Sequence, residues 1–347
     1  MIGTPSSTAI GGASFWAKNT KLVSTDRPRV INQQNFISNP SMPNWLTLSR
    51  LSNGSYFNNA GLLVNAASDV ARFDYAYNGS SWKNQGLLLE KQKTNFIPRQ
   101  YTFENMSSAQ ATTTVLSETL GELAWRRIVG GRVDNDLDRV LENSGGILAN
   151  TGMDLYISAL VRKGTSGRGS LGFALADASN NTIYPKLRLG FESDDVLSGS
   201  GTYAAVATAK KFLGANIWRY GIKIDMSSKP DMVSMRPWIG PYIAAAGQYI
   251  DTMVWQSEVG YPTSFIFSSS FGTITRAQDN LQYNVTNYTG SIKLTYKRQD
   301  TNISESTWID LTNATNPILT TVLQIGVWLE SITAYHRVLT AQEKAIV

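Results

Sequence analysis

The stretch Trp218-Arg219-Tyr220-Gly221-Ile222-Lys223-Ile224-Asp225 sets large apolar side chains at every second position, with polar or small residues between them. Successive side chains of a β-strand point to opposite faces, so this pattern predicts a strand with one buried face and one wet face. Leu187-Arg188-Leu189-Gly190-Phe191-Glu192 and Ile292-Lys293-Leu294-Thr295-Tyr296-Lys297 repeat it. Antiparallel sheets tolerate a wet face, whereas buried parallel sheets read as continuous apolar runs. Turn signals separate the strands at Lys163-Gly164-Thr165-Ser166-Gly167, Ala178-Ser179-Asn180-Asn181 and Ser198-Gly199-Ser200-Gly201. Many short strands so spaced predict a mainly β protein, an antiparallel β-sandwich or jelly roll. Helical signal is sparse. Its clearest instance is Thr340 with Glu343, in capping-box register for a short C-terminal helix after a last strand near 327–335.

Working outward, the chain divides into four segments. Residues 1–45 are rich in Ser, Thr, Asn, Gly and Pro without a sustained period, which predicts an extended N-terminal arm. Phe15-Trp16 within it is a candidate anchor for docking on another protein. A connecting β module follows at 46–97, then the jelly roll at 98–275, then a β-rich segment with the terminal helix at 276–347. Neither 46–97 nor 276–347 is large enough for an independent core, so the two are expected to pack together around an inserted jelly roll.

Composition narrows the class. Hydrophobic residues make up 42% of the 347, but charged residues only 16%, against about 25% in typical soluble domains. The surface must therefore be rich in Ser, Thr, Asn and Gln, as suits an extracellular or particle-exposed β protein. The absence of cysteine excludes disulfides and thiolate metal sites. The net charge of +5 could favour a polyanion, yet the basic residues sit in isolated pairs and triplets rather than one cluster. Nucleic-acid binding is accordingly not expected, although a mildly basic surface favours approach to acidic glycans. No window has the length of apolar sequence a membrane span needs, and no secretory signal pattern opens the chain.

Candidate chemistry is thin. The single histidine, His336, cannot build a histidine-rich zinc site, and it reads as structural. Asp134, Asp136 and Asp138 alternate like calcium ligands, but Arg139 and Gly145 occupy the places that need Gly and Glu. No cofactor is expected; a structural calcium ion with a different geometry stays open. Glu192, Asp194, Asp195 and Asp225 could supply paired carboxylates for glycoside cleavage, with nothing to show the required separation. The nine tryptophans and fifteen tyrosines are more informative, because aromatic faces stack on sugar rings. Carbohydrate-binding candidates are Trp82, Tyr184, Tyr203, Trp238 and Tyr242, each weighed against burial or subunit contact. Trp218, Trp255 and Trp328 read as core.

A series of phrases runs through the chain in fixed order: Thr47-Leu48-Ser49-Arg50, Ser52-Asn53-Gly54-Ser55-Tyr56, Ala71-Arg72-Phe73-Asp74, Gly86-Leu87-Leu88-Leu89-Glu90 and Lys93-Thr94-Asn95-Phe96. Later come Trp218-Arg219-Tyr220, Tyr261-Pro262-Thr263-Ser264-Phe265-Ile266, Thr275-Arg276-Ala277-Gln278-Asp279 and the closing Tyr335-His336-Arg337-Val338-Leu339. Together they resemble bacteriophage tail and fibre proteins, with Ser49 and Ala71 standing where that family usually has Thr and Pro. The resemblance spans residues 46–280 and the closing phrase. It implies a virion structural protein, assembled in the host cytoplasm, whose jelly roll binds host surface polysaccharide or other virion proteins. It also implies self-association, with a homotrimer the first expectation. A purely structural capsid decoration or tail adaptor is the alternative, and a polysaccharide depolymerase a third; enzymatic activity is not expected.

Overall fold

The alternating stretch forms the strand Ile217–Ile224, and its Trp218, Tyr220, Ile222 and Ile224 enter one buried core while Arg219 and Lys223 lie on the opposite face. This computed structural model of the protein describes residues 27–97, 106–109, 111–131, 139–142, 146–147, 154–179, 182–183, 186–191, 196–198, 207–225, 232–267, 273–323 and 326–347. Through them the chain is mainly β, all strand pairs are antiparallel, and the one α-helix is Ala341–Lys344.

Two sheets make the jelly roll. In the first, the spatial order is Ala207–Phe212, Ile217–Ile224, Leu155–Lys163, Tyr249–Val259, Leu123–Gly130 and Ala111–Leu120. In the second it is Val196–Ser198, Lys186–Gly190, Arg168–Asp177, Met232–Tyr242, Arg139–Glu142 and Met106–Ala109. The chain passes back and forth between the sheets, so the central strands adjacent in space are distant in sequence, while hairpins such as Ala111–Leu120 with Leu123–Gly130 and Ala207–Phe212 with Ile217–Ile224 form the edges of the first sheet. Ile157, Ala159 and Val161 from the first sheet meet Leu171, Leu175 and Ile239 from the second, with Trp255 completing the layer.

The expectation of one wet face fails at the centre of the first sheet. Leu155–Val161 and Ile250–Glu258 are buried at every position. The cause is a second core on the outer face, where Trp125, Leu160, Met253 and Val254 pack against Leu63 and Phe265, with Phe57 and Trp82 at its edge. A fully buried side chain of this size contributes about 1.5–3 kcal/mol, so the covered face ties the jelly roll firmly to the rest of the chain.

That remainder is built from both flanking segments. Its main sheet runs Ser304–Ala314, Tyr288–Arg298, Val327–Tyr335, Trp82–Leu89 and Phe73–Tyr77. Leu87 and Leu89 from the first segment share a core with Ile292, Leu294, Val327 and Leu329 from the second. Leu46–Ser49 likewise pairs with Asn280–Tyr283. Part of the stretch read as an arm is also sheet: Val30–Asn35 pairs with Ser331–Tyr335 on the edge that Leu87–Leu89 occupies further along. Alternate residues there include the buried Gln34, whose amide donates to the carbonyls of Asn39 and Ser41. The anchor candidates Phe15 and Trp16 lie outside the described residues.

Where the chain leaves for the jelly roll and returns, Lys93–Asn95 and Ile274–Arg276 form a two-stranded ribbon. Asn95 is fully buried, and its Oδ1 accepts the backbone N–H groups of Ile97 and Ser257. The ribbon is thereby stitched to the jelly-roll strand Tyr249–Val259. A tight turn after Ala111–Leu120 also touches the flanking module: Gly121 has φ +73°, and a Cβ there would lie 2.1 Å from the Leu63 carbonyl oxygen. Only glycine meets both demands.

Candidate functional site

Five charged residues of the ordered phrases converge beneath this ribbon. Arg50 and Arg72 flank Asp279, Nη1 of Arg50 lying 2.9 Å from Oδ1 and Nη2 of Arg72 2.6 Å from Oδ2. The other Arg72 terminal nitrogen donates to Glu90 Oε2 at 2.7 Å, and Arg276 Nη1 reaches the same oxygen at 2.9 Å. All five side chains have zero exposure. Buried charge is tolerable only when paired and hydrogen-bonded, and the remaining valences are largely filled. Asp279 Oδ2 also accepts the Glu90 backbone N–H, and Arg50 donates to the carbonyls of Ser52 and Ala67. Ser264 donates its backbone N–H and its hydroxyl to the two oxygens of Glu90. Burial opposes ionisation of Glu90, but Arg276 and Arg72 outweigh it and hold the carboxyl well below its usual range. For Arg72 burial works against the charge too, and Asp279 and Glu90 more than compensate.

A second carboxyl behaves differently. Glu258 is fully buried, accepts from the Thr263 hydroxyl and backbone and from the Gln256 amide, and is pushed up by desolvation. It fastens the Tyr261-Pro262-Thr263-Ser264 turn to the jelly roll, so that turn bridges both modules.

Beside the network a cleft of about 260 Å³ opens between the modules. The flanking module contributes Phe57, Asp74, Tyr75 and Trp328, and the jelly roll contributes Tyr156, Lys211 and Arg219. Asp74 is positioned by the Phe73–Tyr77 strand; its Oδ1 accepts the Phe57 backbone N–H at 2.9 Å and its Oδ2 the Trp328 indole N–H at 2.8 Å. Burial pushes this carboxyl up, against the pull of those two hydrogen bonds. Lys211 stands exposed at the mouth, where surrounding protein lowers its pKa and Asp74 opposes the shift. Arg219 is fixed by donation to the Ser158 hydroxyl and the Thr263 carbonyl and lies 4.5 Å over the Phe265 ring. The cleft thus offers aromatic walls, one carboxyl and two cations, a set suited to holding a polar ligand with an apolar face.

The sequence-derived candidates are scattered. Trp238 has zero exposure inside the second sheet and so has no face to offer a ligand. Trp82 is half-buried at the module interface, stacked 5.3 Å from Phe57 and tilted against Tyr77 at 5.8 Å. Tyr242 is half-buried at the end of Met232–Tyr242, on the other sheet. Tyr184 and Tyr203 lie outside the described residues, as do Asp134, Asp136, Asp138, Glu192, Asp194 and Asp195. Among the described residues no group of three metal-ligating side chains comes together, and no helix is long and apolar enough to cross a membrane. His336 accepts the Arg29 backbone N–H at Nδ1, 3.1 Å, and seats the start of Val30–Asn35.

Trp218 and Trp255 are core, but Trp328 is only half-buried and lines the cleft, held there by Asp74. Lys211 and Asp74, the latter the end of the Ala71-Arg72-Phe73-Asp74 phrase, line the cleft and are not among the sequence-derived site candidates. The one signal for Asp74 was a carboxylate directly after an apolar strand residue in an ordered phrase. Compared with known proteins, the sequence matches no family model and no curated protein.

Proposed function

We propose that the chain is a bacteriophage virion structural protein, of the fibre, tail-tip or capsid-attached kind, that displays a jelly roll to bind host surface glycan or partner virion proteins. The observation that supports this reading is the convergence of the ordered phrases. Arg50, Arg72, Glu90, Arg276 and Asp279 come from four of them, separated by up to 229 residues, and form one buried network. Four of the phrases that carry the resemblance thus meet at one place in the fold. Binding would be by a surface or cleft, with the particle contact made through the N-terminal segment and assembly as a homotrimer.

A structural decoration or adaptor role is the second reading, favoured by the burial of Trp238 and the packing of Trp82 between modules. Immunogold labelling of phage particles released from a producing culture, with antibodies to the recombinant chain, tests the virion assignment. Gold on particles is the expected result; label confined to the soluble lysate would refute it. Retention of a bacterial surface polysaccharide by the purified protein then separates glycan binding from a purely structural role.

A further inference from the structure

We propose that the cleft between the modules is a saccharide subsite for a single pyranose ring carrying a carboxylate, such as a uronic acid residue of a surface polysaccharide. This deepens the glycan-binding reading and rests on it. Size comes first: at about 260 Å³ the cleft lies below the roughly 300–1,000 Å³ of drug-sized pockets. That size suits one ring inside the cleft, with any longer saccharide continuing out through its open side. Its walls supply the apolar faces of Phe57, Tyr75, Tyr156 and Trp328, against which the C–H face of a pyranose can lie.

The polar groups are placed on opposite walls. Asp74 on the flanking module uses its oxygens for one bond each, to Phe57 and Trp328. A carboxylate has about four acceptor positions, so two remain for sugar hydroxyls. On the jelly-roll wall, Arg219 is held rigidly by Ser158, Thr263 and Phe265, and Lys211 stands at the mouth. Among the described residues, Asp74 acts on Lys211 as an anionic neighbour and Arg219 and Lys297 as cationic ones. The surplus of positive charge selects an acidic sugar over a neutral one, since a semi-enclosed site strengthens such attraction. A ligand bridging Asp74 and Lys211 would also clasp the two modules together.

The test is a calorimetric titration of the full chain with glucuronate and with glucose, run in parallel with Trp fluorescence of wild type and Trp328→Phe, whose difference reports on Trp328. Glucuronate is expected to bind at least tenfold more tightly than glucose and to weaken with added salt. Lys211→Gln, which lies outside the buried network and should leave the thermal midpoint unchanged, is expected to abolish that preference. Equal affinity for the two sugars, no saturation by glucuronate at tens of millimolar, or undiminished preference in Lys211→Gln would overturn the subsite. A panel of bacterial surface polysaccharides completes the experiment. If wild type and Lys211→Gln retain a polysaccharide equally, the cleft assignment fails and the glycan reading stands; if neither retains any, both fail.

Discussion

Replacing Asp279 with Asn removes one negative charge from a site where it is shared by two guanidinium groups. The wild-type carboxylate accepts from Arg50 at 2.9 Å, from Arg72 at 2.6 Å and from the Glu90 backbone N–H at 2.8 Å. Asn keeps one acceptor oxygen and turns an amide donor toward a guanidinium that can only donate. One charge-assisted hydrogen bond is lost outright, at about 1.5–3 kcal/mol. The survivors weaken because their acceptor is now neutral. Arg72 retains Glu90, but the buried Arg50 guanidinium loses its one carboxylate partner among the described residues and keeps the Ser52, Ala67 and Val70 carbonyls. Breaking a buried pair from one side costs about 3–5 kcal/mol, and the one lost bond sets the lower bound of that loss. Urea unfolding followed by Trp fluorescence should show a lower midpoint for Asp279→Asn with an unchanged slope, since the surface exposed on unfolding is the same. A loss under about 1 kcal/mol would mean that the network is solvated or rearranges freely, and would refute its role as the joint between the modules.

Three further outcomes follow from the same geometry. Because the folded-state pKa of Glu90 lies below its ordinary value, its contribution is present above the ordinary carboxylate range and is lost as pH falls through the folded pKa. Urea midpoints should therefore fall on acidification in wild type and fall less in Glu90→Gln, and equal slopes would contradict the assignment. Gly121→Ala should cost about 1–3 kcal/mol from backbone strain alone, plus displacement of Leu63; a thermal midpoint within error of wild type would show that this turn can move away from the flanking module. Thr340→Ala removes a capping box in which Thr340 and Glu343 bond reciprocally, at about 1 kcal/mol. It should speed amide exchange at 343–346 while leaving the global unfolding midpoint in place.

Period-two alternation was enough to read Ile217–Ile224 and the mainly β class, and the last strand and capped helix were legible from their local signals. These are short-range properties, fixed by neighbours in sequence. The buried ion network was not legible, because Arg, Asp and Glu are almost never fully buried and sequence alone does not identify their partners. Arg50 and Asp279, 229 positions apart, carry no mark of contact beyond membership of the ordered phrases. Burial of the first sheet on both faces escaped for a related reason. Tyr249-Ile250-Asp251-Thr252-Met253-Val254-Trp255 mixes polar and apolar residues on each face, and its polar members are satisfied inside: Asp251 by Arg127 and Arg162, Thr252 by the Leu160 carbonyl. Half of the cleft was hidden by the same logic, since Lys211 and Asp74 meet only across the module boundary.

The ribbon of Lys93–Asn95 and Ile274–Arg276 brings the two ends of the jelly roll side by side. A domain whose ends lie one strand spacing apart, about 5 Å, can be exchanged for another without disturbing its host, because any replacement with adjacent termini closes the same gap. Here that freedom is conditional. The host presents Phe57, Leu63 and Trp82 to the domain it carries, so a substitute must bring its own apolar sheet face and must supply equivalents of Thr263 and Ser264 to the charges beneath the ribbon. The chain is thus a socket with a keyed fit: interchangeable in length and loops, selective for what covers its floor.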